Sequence, residues 1–221
     1  MRDRNAAARF AVVVYDGVEP IDVGGTIGVL SMARRVLPNI EAVTVAEERG
    51  PVRLAGGLTI LADVGFASLP PCDQVIVCGG PGWLDATTNA AMLDFIRRQA
   101  PMRLASVCTG ALLLAAAGVL DGRAATTRRR AVGAEAAAPL DLLNGLAPTA
   151  RPRPAVVVDA GVVTGGGVSL AIDTTLYLIG RLYGDRACDE IARVIEYDRA
   201  FASNKMALGH VRPVDDTIVS D

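Results

Sequence analysis

Between Leu104 and Gly118 a short apolar run, Leu-Ala-Ser-Val, passes through Cys108-Thr109-Gly110 straight into an Ala/Leu-rich segment of helical composition. A strand meets a helix this abruptly where a buried strand turns sharply into the helix that covers its sheet, so the segment implies a βα unit with Cys108 at its apex. A residue at such an elbow is lifted above the sheet edge, at a helix N-terminus whose dipole favours a thiolate, and Gly110 two positions on leaves room for the bend. Ser106 stands where the serine form of the motif carries Gly, which makes the pattern less specific. The competing reading of Cys108 is a buried structural thiol, since free cysteine packs as a small hydrophobe.

The rest of the chain repeats this alternation. Residues 10–15 read as a central strand, 23–36 as a helix despite its glycines, and 40–46, 58–61 and 74–78 as strands. A helix is expected around 89–99, then the 104–107 strand, the elbow helix and a short strand at 124–127. Residues 155–158 and 162–164 bracket a tight Asp159-Ala-Gly161 hairpin, and 168–183 and 186–197 have amphipathic helical spacing. Strands and helices in this order predict an α/β fold, a three-layer α/β/α sandwich on a mostly parallel sheet. Ligands of such sheets bind beyond the carboxyl ends of the strands.

At 221 residues the chain is long enough for one full α/β core and short for two domains. Residues 1–9 are expected to be disordered, 10–198 to form the domain and 199–221 a C-terminal tail. The net charge of −2 gives no global attraction for nucleic acid or an anionic membrane. Although 51% of residues are hydrophobic, no run reaches the roughly 18 needed to span a membrane, and the N-terminus lacks a signal-peptide core. A soluble, cytoplasmic protein is expected. Cys72, Cys78, Cys108 and Cys188 have neither metal-ligand nor disulfide-framework spacing, so no metal and no cofactor are expected. The single histidine, His210, lies in a polar, Pro-containing tail and reads as a solvated loop residue, so a Cys–His mechanism would have to recruit it from that tail.

Three further segments reach the same sheet edge. Tyr15-Asp-Gly-Val-Glu-Pro-Ile-Asp22 follows the first strand, and Asp22 falls in a first helical turn, where a capping carboxylate is the plain alternative to a catalytic one. Cys78-Gly79-Gly80-Pro81-Gly82 follows another strand, and its backbone could form an anion-binding nest or simply a tight loop. Thr164-Gly165-Gly166-Gly167-Val168-Ser169 lacks both the lysine of a phosphate loop and the spacing of a dinucleotide fingerprint, so nucleotide binding is rejected. Arg128-Arg129-Arg130 reads as a solvated run, with an anion clamp as the alternative.

Together Ile21-Asp22-Val23, Cys78-Gly79-Gly80, Ser106-Val-Cys108-Thr109-Gly110-Ala with Ala116 to Thr127, and Thr164-Gly-Gly-Gly167 with Ala171-Ile-Asp173 resemble the DJ-1/PfpI (ThiJ) superfamily, from about residue 10 to 197. The resemblance implies a flavodoxin-like, class I glutamine-amidotransferase-like fold and a homodimer. It is nearest the branch of isonitrile hydratases and of the sensor domains of AraC-type regulators. It implies that Cys108 is the nucleophile and Asp22 its acidic partner, that Gly79, Gly80 and Thr109 surround the substrate with backbone N–H groups from Gly80 and Thr109, and that Gly166 and Val168 line the pocket. Much of that branch has His-Trp where this chain has Arg128-Arg129, and Pro where it has Cys78. The expected chemistry is addition of Cys108 to an isocyanide and hydrolysis to a formamide, with a neutral Asp22 hydrogen-bonding a low-pKa thiolate. The alternatives are a sensor domain, a glyoxalase-like or protein-repair hydrolase, and a redox sensor acting through Cys108. DNA binding is not expected, because about 100 further residues would be needed for a helix-turn-helix region.

Overall fold

The computed structural model describes residues 1–212. In chain order its first half contains β1 (Ala8–Val13), α1 (Pro20–Ala33), β2 (Ile40–Ala46), β3 (Gly50–Arg53), β4 (Thr59–Ala62), β5 (Val64–Gly65), β6 (Gln74–Val77), α2 (Trp83–Ala86) and α3 (Ala90–Arg97). The second half contains β7 (Leu104–Ser106), α4 (Gly110–Ala116), β8 (Ala124–Ala125), α5 (Pro139–Leu146), β9 (Arg151–Pro152), β10 (Val157–Asp159), β11 (Val163–Gly165), α6 (Leu170–Tyr183), α7 (Asp185–Val194), α8 (Asp198–Leu208) and β12 (His210–Val211).

Eight strands form one sheet in the order β12-β10-β11-β7-β6-β1-β2-β5. Every pairing in it is parallel except β10 with β11, the expected hairpin. Its central strands β6 and β7 are buried along their whole length because helices cover both faces. Alternation along β1 sends Phe10 and Val12 to one face, under Leu30 of α1, Leu176 of α6 and Ile191 of α7. Ala11 and Val13 point to the other, under Phe95 of α3 and Leu112 and Leu114 of α4. This is the α/β/α sandwich the alternation predicts.

Several local expectations are corrected. The segment at 58–61 forms β4, which pairs with β3 in a separate two-stranded hairpin, and the short strand at 124–127 is β8, paired with β9 outside the main sheet. A run of strand composition does not say which sheet it joins. Helix α1 starts at Pro20, whose fixed φ and missing N–H suit a first helical turn, three residues before the expected start. Residues 1–9 are not disordered: Arg2 N–H donates to the Leu182 carbonyl, its guanidinium pairs with Asp73 at 2.5 Å, and Ala8 and Arg9 already belong to β1. Nor is the chain beyond 198 only a tail, since Asp198–Leu208 is helix α8 and His210–Val211 adds an edge strand to the sheet. The rest of the proposed tail, 213–221, lies outside the described residues. No helix among the described residues is long and apolar enough to cross a membrane.

The register defines the functional edge. Val13 of β1 lies beside Val77 of β6, Val77 beside Ser106 of β7, and Ser106 beside Thr164 of β11. Four parallel strands therefore end on one level, and the four loops singled out in the sequence leave the sheet side by side.

Candidate active site

Cys108 follows β7 by two residues and adopts φ 51°, the left-handed region that a side chain enters only under constraint. Its N–H donates to the Gly166 carbonyl at 3.0 Å and its carbonyl accepts from the Thr127 hydroxyl at 2.6 Å. These bonds tie the elbow to the loop after β11 and to the segment just after β8. The bend also needs close backbone approach. A Cβ on Gly79 would lie 2.4 Å from the Thr109 nitrogen, and one on Gly110 would lie 2.1 Å from the Val77 carbonyl oxygen. Opposite the elbow Val168 has φ 33°, an outlier for a β-branched residue, and its backbone N–H, like that of Thr109, acts to favour the charged form of the Cys108 sulfur.

Asp22 is fully buried in the first turn of α1, yet it does not cap that helix. One carboxylate oxygen, Oδ2, accepts the Gly79 N–H at 3.0 Å, while Oδ1 has no protein hydrogen-bond partner. Burial raises the Asp22 carboxyl to about 7, against the Gly79 N–H and the Cys108 thiol, which favour its ionised form. Burial also pushes the Cys108 thiol up to about 12, helped by the Asp22 charge and opposed by the Val168 and Thr109 N–H groups and by Arg128. Burial thus works against the expected low-pKa thiolate: Cys108 is only 4% exposed, and the cost of an anion there opposes the helix-end and amide effects. Below about pH 7 both groups hold their protons.

The two glycines after β6 serve the site differently from what the resemblance implies. The Gly79 N–H is committed to Asp22, and the Gly80 N–H to the Thr109 hydroxyl at 2.8 Å. Gly80 still lines the cavity, but the free donors around the sulfur belong to Thr109 and Val168. That cavity, about 160 Å³, is bounded by Cys108, Thr109, Gly80, Trp83, Arg128 and Val168, with Glu19 and Glu135 at its margin. Gly166 faces an adjoining cavity of about 360 Å³ that shares Arg128 and Val168 with the first.

The arginine run divides. Arg129 and Arg130 are exposed, as a solvated run requires, but Arg128 turns inward with its side chain only 11% exposed. The preferred sequence reading, a solvated run, fails for Arg128 and leaves the anion-clamp alternative for that one residue, since three consecutive like charges look alike; the signal was its place directly after the buried Thr126-Thr127 pair. Glu135, which pairs with Arg128, carried no local signal at all. His210 is also relocated. It sits in edge strand β12 with its ring 5.3 Å from that of Tyr177, and burial lowers its pKa to about 4. It does not line the Cys108 cavity. All four cysteines are free, and among the described residues no cluster of His, Cys, Asp or Glu could hold a metal ion.

A buried cysteine at a strained elbow, paired with a carboxylic acid and held by two backbone amides on an α/β/α sandwich, defines a cysteine-centred DJ-1-like domain. The sequence pattern of the DJ-1/PfpI family matches residues 8–180, and the chain belongs to that family. It is 33% identical to the isonitrile hydratase of Pseudomonas putida over 86% of this chain and 79% of that protein. It is 30% identical to the HTH-type transcriptional regulator GbdR of Pseudomonas aeruginosa over 71% of this chain, but spans only 41% of that regulator. Among solved structures, a ThiJ/PfpI family protein from Pseudomonas syringae superposes with a TM-score of 0.75 at 28% identity, covering 90% of this chain and 82% of that one. Drosophila melanogaster DJ-1beta shares the fold at a TM-score of 0.71 and 20% identity, over 86% of this chain and 98% of its own.

Proposed function

We propose that the protein is an isonitrile hydratase that converts a small organic isocyanide and water to an N-substituted formamide. The observation that carries this reading is the juxtaposition of Cys108 with Asp22, whose carboxyl titrates near neutrality. In the pair, Asp22 takes the thiol proton as sulfur attacks the terminal isocyanide carbon, then gives that proton to the same carbon. The product is a thioimidate, Cys108–S–CH=N–R. Water adds to its carbon, nitrogen takes a proton, and collapse of the tetrahedral adduct breaks the C–S bond, releases the formamide and restores the thiol. Covalent capture divides one difficult hydration into two easier steps. The Thr109 and Val168 N–H groups stabilise negative charge on sulfur as it forms.

The likeness to the Pseudomonas putida hydratase supports this reading. The likeness to GbdR supports a second one, a sensor domain that keeps the pocket without turnover. One assay separates them: purified protein is incubated with a panel of alkyl and aryl isocyanides, with methylglyoxal as comparator, and formamide is measured. The hydratase reading expects formamide from the parent and none from Cys108→Ala that remains folded. A folded parent that hydrates no isocyanide favours the sensor, and turnover of methylglyoxal alone favours a glyoxalase-like enzyme. The reading carries with it a cytoplasmic homodimer without affinity for DNA. Sedimentation equilibrium showing only monomer, or a salt-sensitive shift of duplex DNA, would contradict those parts.

A further inference from the structure

Among the described residues, Arg128 is the one cation lining the cavity above Cys108, whose wall also carries the carboxylates of Glu19 and Glu135. Arg128 follows two fully buried threonines, and the Leu140 N–H donates to its carbonyl at 3.1 Å, so its backbone is fixed and its side chain is directed inward. The guanidinium binds the Glu135 carboxylate at 2.5 Å and donates to the Arg130 carbonyl. A guanidinium has five N–H donors, and these two bonds leave others for the cavity. The same group lies close enough to Cys108 to favour negative charge on its sulfur.

Glu135 is placed differently. It sits within the exposed stretch 129–136, held by Arg128 and by the Val132 N–H at 2.9 Å, and its side chain is 33% exposed. The carboxylate end of this pair is the one open to water, so an incoming carboxylate can exchange for Glu135 while Arg128 stays in place. The cavity, about 160 Å³, is lined by both Cys108 and Arg128, so a small molecule bound against the sulfur lies in the same space as the guanidinium. The adjoining cavity, which shares Arg128, is lined by Arg129 and Arg130 as well.

We propose that Arg128 selects substrates bearing a carboxylate a few bonds from the reacting carbon, with Glu135 occupying the guanidinium until that carboxylate displaces it. The substrate class, resting on the hydratase reading, is then a short isocyano carboxylate. Its isocyanide carbon meets Cys108 while its carboxylate takes the planar two-point geometry that arginine offers.

The test has a readout independent of hydration. Cys108 is alkylated with iodoacetate and with iodoacetamide, reagents that differ in charge at nearly equal size, and the rate ratio is normalised to that of a free thiol. The parent should prefer the anion. Arg128→Met should lower the ratio by about tenfold, the scale of a hydrogen bond to a charged group. Glu135→Gln, which leaves Arg128 in place without its competitor, should raise the ratio, and it keeps the test intact if Arg128→Met does not fold. In parallel, an isocyano acid and its methyl ester are compared as substrates, with the acid preferred by the parent and the preference lost in Arg128→Met. Ratios unmoved by Glu135→Gln, or a parent that prefers the neutral reagent, overturn the proposal even if isocyanides are hydrated. Ratios that move as stated without any formamide leave the anion selectivity standing and remove the hydratase reading.

Discussion

Asp22→Asn should stabilise the protein at alkaline pH while removing most of its activity. The Asp22 carboxyl lies at about 7 in the folded protein against an ordinary 3.8, because burial disfavours its charge. The stability this group contributes is therefore fully present below about pH 4, where it is neutral in both folded and unfolded chains. It is lost as pH rises towards 7, since the unfolded chain releases the proton first. Three units at ~1.36 kcal/mol each set an upper bound of ~4 kcal/mol. Asparagine carries no charge at any pH, and its oxygen can still accept the Gly79 N–H. Urea unfolding of both proteins at several values between pH 3 and 8 should show near-equal stability at the acid end and an Asn advantage of ~2–4 kcal/mol at pH 8. Thermal midpoints should separate by up to ~10 °C. Because both chains share every other titrating group, the difference isolates Asp22. A constant gap across pH would mean that the fold leaves the carboxyl's proton affinity unchanged, a parent more stable than the variant at pH 8 would mean that the ionised form is favoured, and either result would defeat the argument from burial.

The same pair predicts the pH dependence of turnover: kcat/KM should rise with an apparent pKa near 7 as the Cys108–Asp22 pair loses its first proton, and Asp22→Asn should remove that limb along with most activity; a flat profile in the parent would contradict it. Gly79→Ala should disrupt the elbow, because the added Cβ would fall 2.4 Å from the Thr109 nitrogen; circular dichroism and Cys108 alkylation would report it, and a variant that matches the parent in both would refute the close approach. Thr109→Val should cost ~1–3 kcal/mol in urea unfolding, since it leaves the buried Gly80 N–H without its acceptor, and an unchanged midpoint would show that another acceptor takes over.

What was legible in the sequence was local. The strand-to-helix elbow at Cys108, the apolar runs of β1, β6 and β7 and the glycines after β6 and β11 each carry their own backbone instruction, so their convergence on one sheet edge follows from parallel topology. What was illegible depends on long-range partners. The donors of Gly79 and Gly80 look equally free in the sequence, and only the folded chain brings Asp22 and Thr109 to them. The thiol's proton affinity depends on how completely four loops close over it, which no spacing encodes. His210 has the polar, Pro-containing neighbourhood of a loop, but β10 offers it a free edge and Tyr177 a ring to pack on. Arg128 differs from its two neighbours only in the direction its backbone leaves the buried Thr127.

The central claim, that Cys108 attacks the substrate carbon, is tested most directly by trapping the intermediate. Protein mixed with an aryl isocyanide is acid-quenched on the millisecond-to-second scale and analysed by intact and peptide mass spectrometry. The account predicts an adduct equal to the mass of the isocyanide, confined to the Cys108 peptide, that forms and decays no more slowly than formamide appears and is absent from Cys108→Ala. Formamide production by Cys108→Ala at the parent rate, or an adduct on Cys78 or Cys188 in its place, would contradict it.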